Sequence, residues 1–195
     1  MTQSGADLVT PLPRIVSVTG LKKSGKTTVV TALLAELRSR GHRVCSVKKM
    51  EHPAFLPDQE GTDTRLHAEA GAEVVVALLP GETVRFERTG RTGSLLDIIE
   101  LFPRDNEFLV CEGMVDRSAS QLIVLCLRSI DDLAETLSVR GILRGSVLAV
   151  SGLATARTMD RSLQGLGGIP AFDALDTAQR SALVDLIIKK ACPGA

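Results

Sequence analysis

The chain of 195 residues has no Trp, no Tyr and only 5 Phe. An aromatic stacking platform for single-stranded nucleic acid is therefore not expected. Net charge is lacking too: Lys+Arg and Asp+Glu both count 23, for a formal charge of +0. Without an excess of either sign, no global grip on nucleic acid or on an anionic membrane is expected. No apolar run approaches the roughly 18 residues that a spanning helix needs. The opening MTQSGADLVTPLP lacks the basic-then-apolar order of a secretory signal. Cys45, Cys111, Cys126 and Cys192 are scattered, without a CxxC pair. Free, buried thiols in a reducing, cytoplasmic compartment are the expectation.

What is present is a globular composition, 44% apolar and 24% charged. Residues 1–13, with two prolines, read as a flexible leader. Residues 14–195 read as a single nucleotide-binding domain, for the motif reasons below. Short β-branched or apolar runs at 15–18, 43–48, 107–111, 122–127, 147–150 and 169–172 read as strands. Helical spacing marks 28–40, 62–70, 94–102, 130–140, 154–166 and 176–190. Pro80-Gly81 between 73–79 and 82–88 predicts a hairpin insertion over about 73–88. Such alternation predicts an α/β fold, a mainly parallel sheet flanked by helices.

One segment carries chemistry. Gly20-Leu21-Lys22-Lys23-Ser24-Gly25-Lys26-Thr27 fits GxxxxGK[ST], and it lies between the first strand and the first helix. Glycines let such a loop curl around phosphate, and its N–H groups with the helix's positive end face the anion. Gly20, Lys22, Lys23, Ser24, Gly25, Lys26, Thr27 and Thr28 are the candidate phosphate contacts. Lys26 is expected at the β- and γ-phosphates and Thr27 at Mg²⁺. Lys22 and Lys23 read equally as extra neutralisation, as contacts across a dimer, or as solvated surface lysines.

An acid at a neighbouring strand end is needed to hold the hydrated Mg²⁺. Glu112, after the run 108–111 and before Gly113, is the candidate; its bland alternative is a carboxylate capping the next turn. The loop from Lys49 to Gly61 leaves the same end of the sheet as the phosphate loop. Asp58 and Asp63 are candidates there for holding Mg²⁺ through water or orienting the attacking water. Asp63 reads equally as a first-turn acid of the 62–70 helix. Lys48 and Lys49 are candidate anion contacts or solvated lysines, and His52 reads as a surface histidine. An NKxD guanine motif is missing, and the residues themselves do not separate GTP from ATP.

These runs resemble the MobB family, the molybdopterin-guanine dinucleotide biosynthesis adaptor proteins. The resemblance rests on VTGLKKSGKTTVVTALLAELRSRGHRVCSVKK, then D58-x-x-G61-T-D63-T64, then A70-G71-A72, then C-E112-G113, in order over about residues 14 to 127. It implies a dimeric P-loop NTPase fold with a hairpin insertion. It also implies GTP binding with weak hydrolysis, in aid of the partner guanylyltransferase that attaches GMP to molybdopterin. By position, Gly20, Gly25, Lys26 and Thr27 serve phosphate and Mg²⁺, and Asp58, Asp63 and Glu112 complete the metal and switch region. Where the family has GKDS, this chain has Gly61-Thr62-Asp63-Thr64.

Two other functions stay open at this point. A small-molecule kinase or nucleotide-dependent ligase needs an Arg clamp on its second substrate, for which Arg85, Arg88 and Arg91 are candidates. A nucleotide-stabilised scaffold that never turns over needs an interaction surface. Val74, Val76 and Ala77 of the hairpin are its candidate dimer seam.

Overall fold

The computed structural model describes residues 12–50, 62–87, 94–117, 119–157 and 166–192. The chain divides into two compact units, one formed by residues 1–49 with 94–195 and the other by residues 50–93.

The first unit holds a five-stranded sheet in the order β2-β5-β1-β6-β7: β1 (Arg14–Gly20), β2 (Val44–Lys48), β5 (Phe108–Glu112), β6 (Gln121–Cys126) and β7 (Val147–Ser151). All of its pairings are parallel. Its helices are α1 (Lys26–Ser39), α3 (Leu95–Ile99), α4 (Leu133–Arg140), α5 (Leu153–Arg157) and α6 (Thr177–Ala191). A parallel sheet covered on both faces needs strands that are apolar at every position. β5 has all five residues buried, and four of them, Phe108 to Cys111, are apolar. Along β1, Val16 and Val18 enter the core beneath α1 and α6, with Val29, Val30, Leu33, Leu37, Leu183, Val184 and Ile187. Ile15 points to the opposite face, against Leu95 and Ile99 of α3. β6 alternates likewise, Val124 and Cys126 to the first face and Ile123 and Leu125 to the second.

The two long helices are also clamped at their surface. Arg40 donates to Glu36 (2.9 Å), Asp185 (2.6 Å) and Ser181, and Arg180 reaches Glu36 at 3.2 Å. These guanidinium hydrogen bonds hold the Glu36 carboxyl below its ordinary value. Asp176 caps α6 by accepting from the Gln179 N–H at 2.9 Å.

The second unit contains α2 (Asp63–Glu69) and a separate antiparallel sheet, β3 (Val74–Leu79) with β4 (Glu82–Glu87). Gly81 takes φ 81, the left-handed conformation a Pro-Gly turn asks of its second residue. Val75 is buried, whereas Val76 and Leu78 are 52% and 81% exposed.

The mainly parallel α/β fold expected from the alternation is the fold observed. Two element expectations change. The 169–172 run makes one isolated parallel bridge, Val150 to Ala171, rather than a strand. Pro170 has no N–H to donate, so the ladder stops there. The bridge consists of the Val150 N–H on the Pro170 carbonyl (2.9 Å) and the Phe172 N–H on the Val150 carbonyl (3.0 Å), and the Ser151 hydroxyl adds a bond to the Phe172 carbonyl (2.7 Å). The helix expected over 94–102 is confined to Leu95–Ile99, opened by a Ser94–Asp97 capping box. Of the 154–166 helix, the described part is Leu153–Arg157. Among the described residues, no helix is long and apolar enough to cross a membrane.

Candidate functional site

The loop between β1 and α1 is shaped by backbone that only glycine tolerates easily. A Cβ on Gly20 would collide with the Cys126 carbonyl oxygen on β6 and come within 2.7 Å of the Ser24 hydroxyl. Gly25 caps α1 from the left-handed region, at φ 87. Lys23 is left-handed too, at φ 60, a strained setting for a side-chain-bearing residue. The loop after β7 backs this turn closely. The Leu153 N–H donates to the Ser24 carbonyl at 3.3 Å, and a Cβ on Gly152 would strike that same carbonyl oxygen.

Charge is distributed to suit an anion. No acidic residue occupies the first turn of α1, so the partial positive charge of its N-terminus is left uncancelled there. Lys26 Nζ folds back into the loop and donates to the carbonyls of Leu21 (2.6 Å) and Gly20 (3.2 Å). Lys22 and Lys23 are exposed on the loop, Ser24 is buried, and Thr28 is exposed on α1.

Beside Lys26, the Thr27 hydroxyl donates to Glu112 Oε1 at 2.8 Å. The pairing follows from register: Val18 and Lys48 both lie opposite Glu112, so β5 sets that carboxylate between the ends of β1 and β2. Lys48 Nζ approaches the same oxygen at 3.3 Å. Glu112 is 8% exposed, and its cationic and hydroxyl partners offset the cost of burying a carboxylate. Immediately after it, the Gly113 N–H donates to the Val18 carbonyl at 2.9 Å.

The structure thus gathers Gly20, Ser24, Gly25, Lys26, Thr27 and Glu112 at one end of the sheet. Asp63 is the exposed first residue of α2, in the other unit, where it serves as a first-turn acid. Asp58, His52, Arg88 and Arg91 lie outside the described residues. Arg85 pairs with Glu87 at 2.6 Å on β4. Among the described residues no three His, Cys, Asp or Glu side chains cluster. A divalent ion here would have one carboxylate and one hydroxyl from the described chain, the sparse oxygen set that Mg²⁺ accepts when phosphate and water complete its shell.

One participant carries no sequence signal. Arg140, the last residue of α4, extends its guanidinium to the Gly20 carbonyl, with Nη2 at 2.5 Å. The sequence places it at the end of a helix, 120 residues from the loop. The cysteines are the expected free thiols among the described residues. Cys111 and Cys126 are buried, and burial pushes both thiols up to about 12. Cys45 and Cys192 are only partly covered.

Comparison with known proteins adds a family to this geometry. The model for MobB, molybdopterin guanine dinucleotide synthesis protein B, matches residues 15–138. The chain belongs to the MobB family. The match spans β1 through most of α4, and so includes the loop, Thr27 and Glu112. A comparison with curated protein sequences finds no match. Among solved structures, MobB of Bacillus subtilis is similar at 23% identity, covering 89% of this chain and 97% of that one, with a TM-score of 0.65. A MobB homologue of Bacillus stearothermophilus is 21% identical over 90% of this chain and 98% of its own, with a TM-score of 0.60. A molybdopterin-guanine biosynthesis protein B is 23% identical over 89% and 99%, at 0.58. These likenesses show the MobB fold, and the family is one of molybdenum cofactor biosynthesis.

Proposed function

We propose that this MobB-family protein binds GTP with Mg²⁺, hydrolyses it weakly, and acts as an adaptor for the partner guanylyltransferase that builds molybdopterin guanine dinucleotide. The observation that carries the reading is the Thr27–Glu112 hydrogen bond at 2.8 Å, one residue beyond Lys26. It supplies a hydroxyl and a carboxylate, both hard oxygen donors, directly beside the lysine that a phosphate would attract.

In this reading Gly20, Lys22, Lys23, Ser24, Gly25, Lys26, Thr27 and Thr28 bind the phosphates. Lys26 exchanges its two carbonyl contacts for β- and γ-phosphate oxygens. Thr27 and Glu112, with Asp58, hold the metal side. Asp58 and Asp63 orient the attacking water. Bound Mg²⁺ would neutralise charge on the triphosphate oxygens. Glu112 keeps the Thr27 hydroxyl oriented, and Lys48 holds Glu112 in place. Weak turnover fits a site whose completing groups come from another chain. The exposed Val76 and Leu78 on one face of the hairpin support a homodimer formed there.

The test is binding of GTP and of ATP, each with and without Mg²⁺, to the wild type, Thr27→Ala and Glu112→Gln. Mg²⁺ should strengthen GTP binding in the wild type and do so far less in either variant. Equal binding of ATP, or a Mg²⁺ effect untouched by both substitutions, would contradict the proposal.

A further inference from the structure

Two cations converge on one carbonyl oxygen. The Gly20 oxygen accepts from Lys26 Nζ at 3.2 Å and from Arg140 Nη2 at 2.5 Å. The two positive groups are therefore within about 6 Å of each other, a separation at which like charges repel appreciably near a protein surface. Lys26 has a role that draws it away from that oxygen. Arg140 has none: it reaches past the carbonyls of its own helix end, where a basic residue commonly settles. The surroundings are polar and undersatisfied. The Thr136 hydroxyl, one helical turn before Arg140 on α4, is buried without a hydrogen-bond partner, as are the Thr19 hydroxyl next to Gly20 and Arg140 Nε itself.

We propose that Arg140 is a positioning residue of the phosphate-binding loop, holding the Gly20 carbonyl while Lys26 leaves it for phosphate. This rests on the nucleotide-binding reading above. When Lys26 turns to an anion, the Leu21 and Gly20 carbonyls lose its donor. Leu21 is partly exposed and can turn to water. Gly20 is buried, with its α-carbon hard against β6, so its carbonyl is not free to turn to water. A charged donor fixed on that oxygen keeps it satisfied. The loop then keeps one shape whether Lys26 is folded back or extended, and binding does not have to reorganise it.

The experiment measures GTP affinity with Mg²⁺ for the wild type, Arg140→Met and Arg140→Lys. Amide hydrogen exchange of the peptide covering residues 19–27 is measured without nucleotide. Loss of a hydrogen bond from a charged donor to a buried carbonyl corresponds to about tenfold weaker binding for Arg140→Met. Arg140→Lys, which keeps one charged donor, should fall between Met and wild type. The loop peptide should exchange faster in the Met variant than in the other two. Wild-type affinity in Arg140→Met, or Arg140→Lys no better than Arg140→Met, overturns the inference while leaving the nucleotide reading intact. A wild type that binds no GTP defeats both. If Arg140→Met does not fold, Arg140→Gln takes its place, with the same order expected.

Discussion

Gly152→Ala is the most revealing single change for the fold that carries the loop. Gly152 sits at φ 94, so alanine there carries a left-handed strain of about 1–2 kcal/mol. Its Cβ would also meet the Ser24 carbonyl oxygen head-on and lie 3.2 Å from both Cys126 Cβ and the Leu127 carbonyl oxygen. Two of those three neighbours are backbone of elements already hydrogen-bonded in place, so overpacking adds about 1–3 kcal/mol. Gly41 supplies the control. It has a similar φ of 85, but a methyl added there would meet nothing within 4 Å, so Gly41→Ala should incur the strain alone. For a domain near this size each kcal/mol moves Tm by about 2–4 °C, which puts Gly152→Ala about 5–15 °C below wild type and Gly41→Ala only a few degrees below. Thermal and urea unfolding followed by circular dichroism measures both. Equal losses in the two variants would refute the claim that the loop after β7 is packed directly against Ser24.

Leu33 is fully buried in the core beneath α1, so Leu33→Ala should destabilise by about 2–5 kcal/mol in urea unfolding, through lost burial and a cavity. Acid should weaken the fold in a defined sense. Glu107 is held below its ordinary value by hydrogen bonds from His42 and from the Arg43 N–H, and Glu36 by Arg40 and Arg180. Depressed carboxyls contribute stability that is complete above the unfolded-chain value of 4.5 and is lost as pH falls through the folded values. The urea midpoint should therefore drop on acidification from that region, and Glu107→Gln with Glu36→Gln should flatten the drop. Thiol labelling at neutral pH should reach Cys45 and Cys192 first. Cys111 and Cys126, buried and shifted to about 12, should react only as fast as the protein unfolds.

Legibility of the sequence follows the range of the interactions. β1, the loop, α1 and the Glu112 strand end are readable because each is encoded in contiguous residues: an apolar run, a glycine-lysine turn, a helical stripe, an acid before Gly113. The hairpin is readable from Pro80-Gly81 for the same reason. Arg140 is not, because its partner is a backbone carbonyl 120 residues away, and carbonyls leave no trace in a sequence. The close approach of Gly152 to Ser24 is hidden similarly, since it depends on where β7 ends relative to β1. The 169–172 run misleads because an apolar stretch looks like a strand whether or not its N–H groups can form a ladder. Pro170 is the residue to weigh.

The proposed nucleotide site, the loop from Gly20 to Thr28, depends on Lys26. Calorimetry of GTP with Mg²⁺ against wild type and Lys26→Ala tests it most directly. Saturable GTP binding is expected in the wild type and its loss in Lys26→Ala, while the variant keeps the wild-type circular dichroism spectrum. Equal GTP binding by the two proteins, or none by the folded wild type, would contradict it.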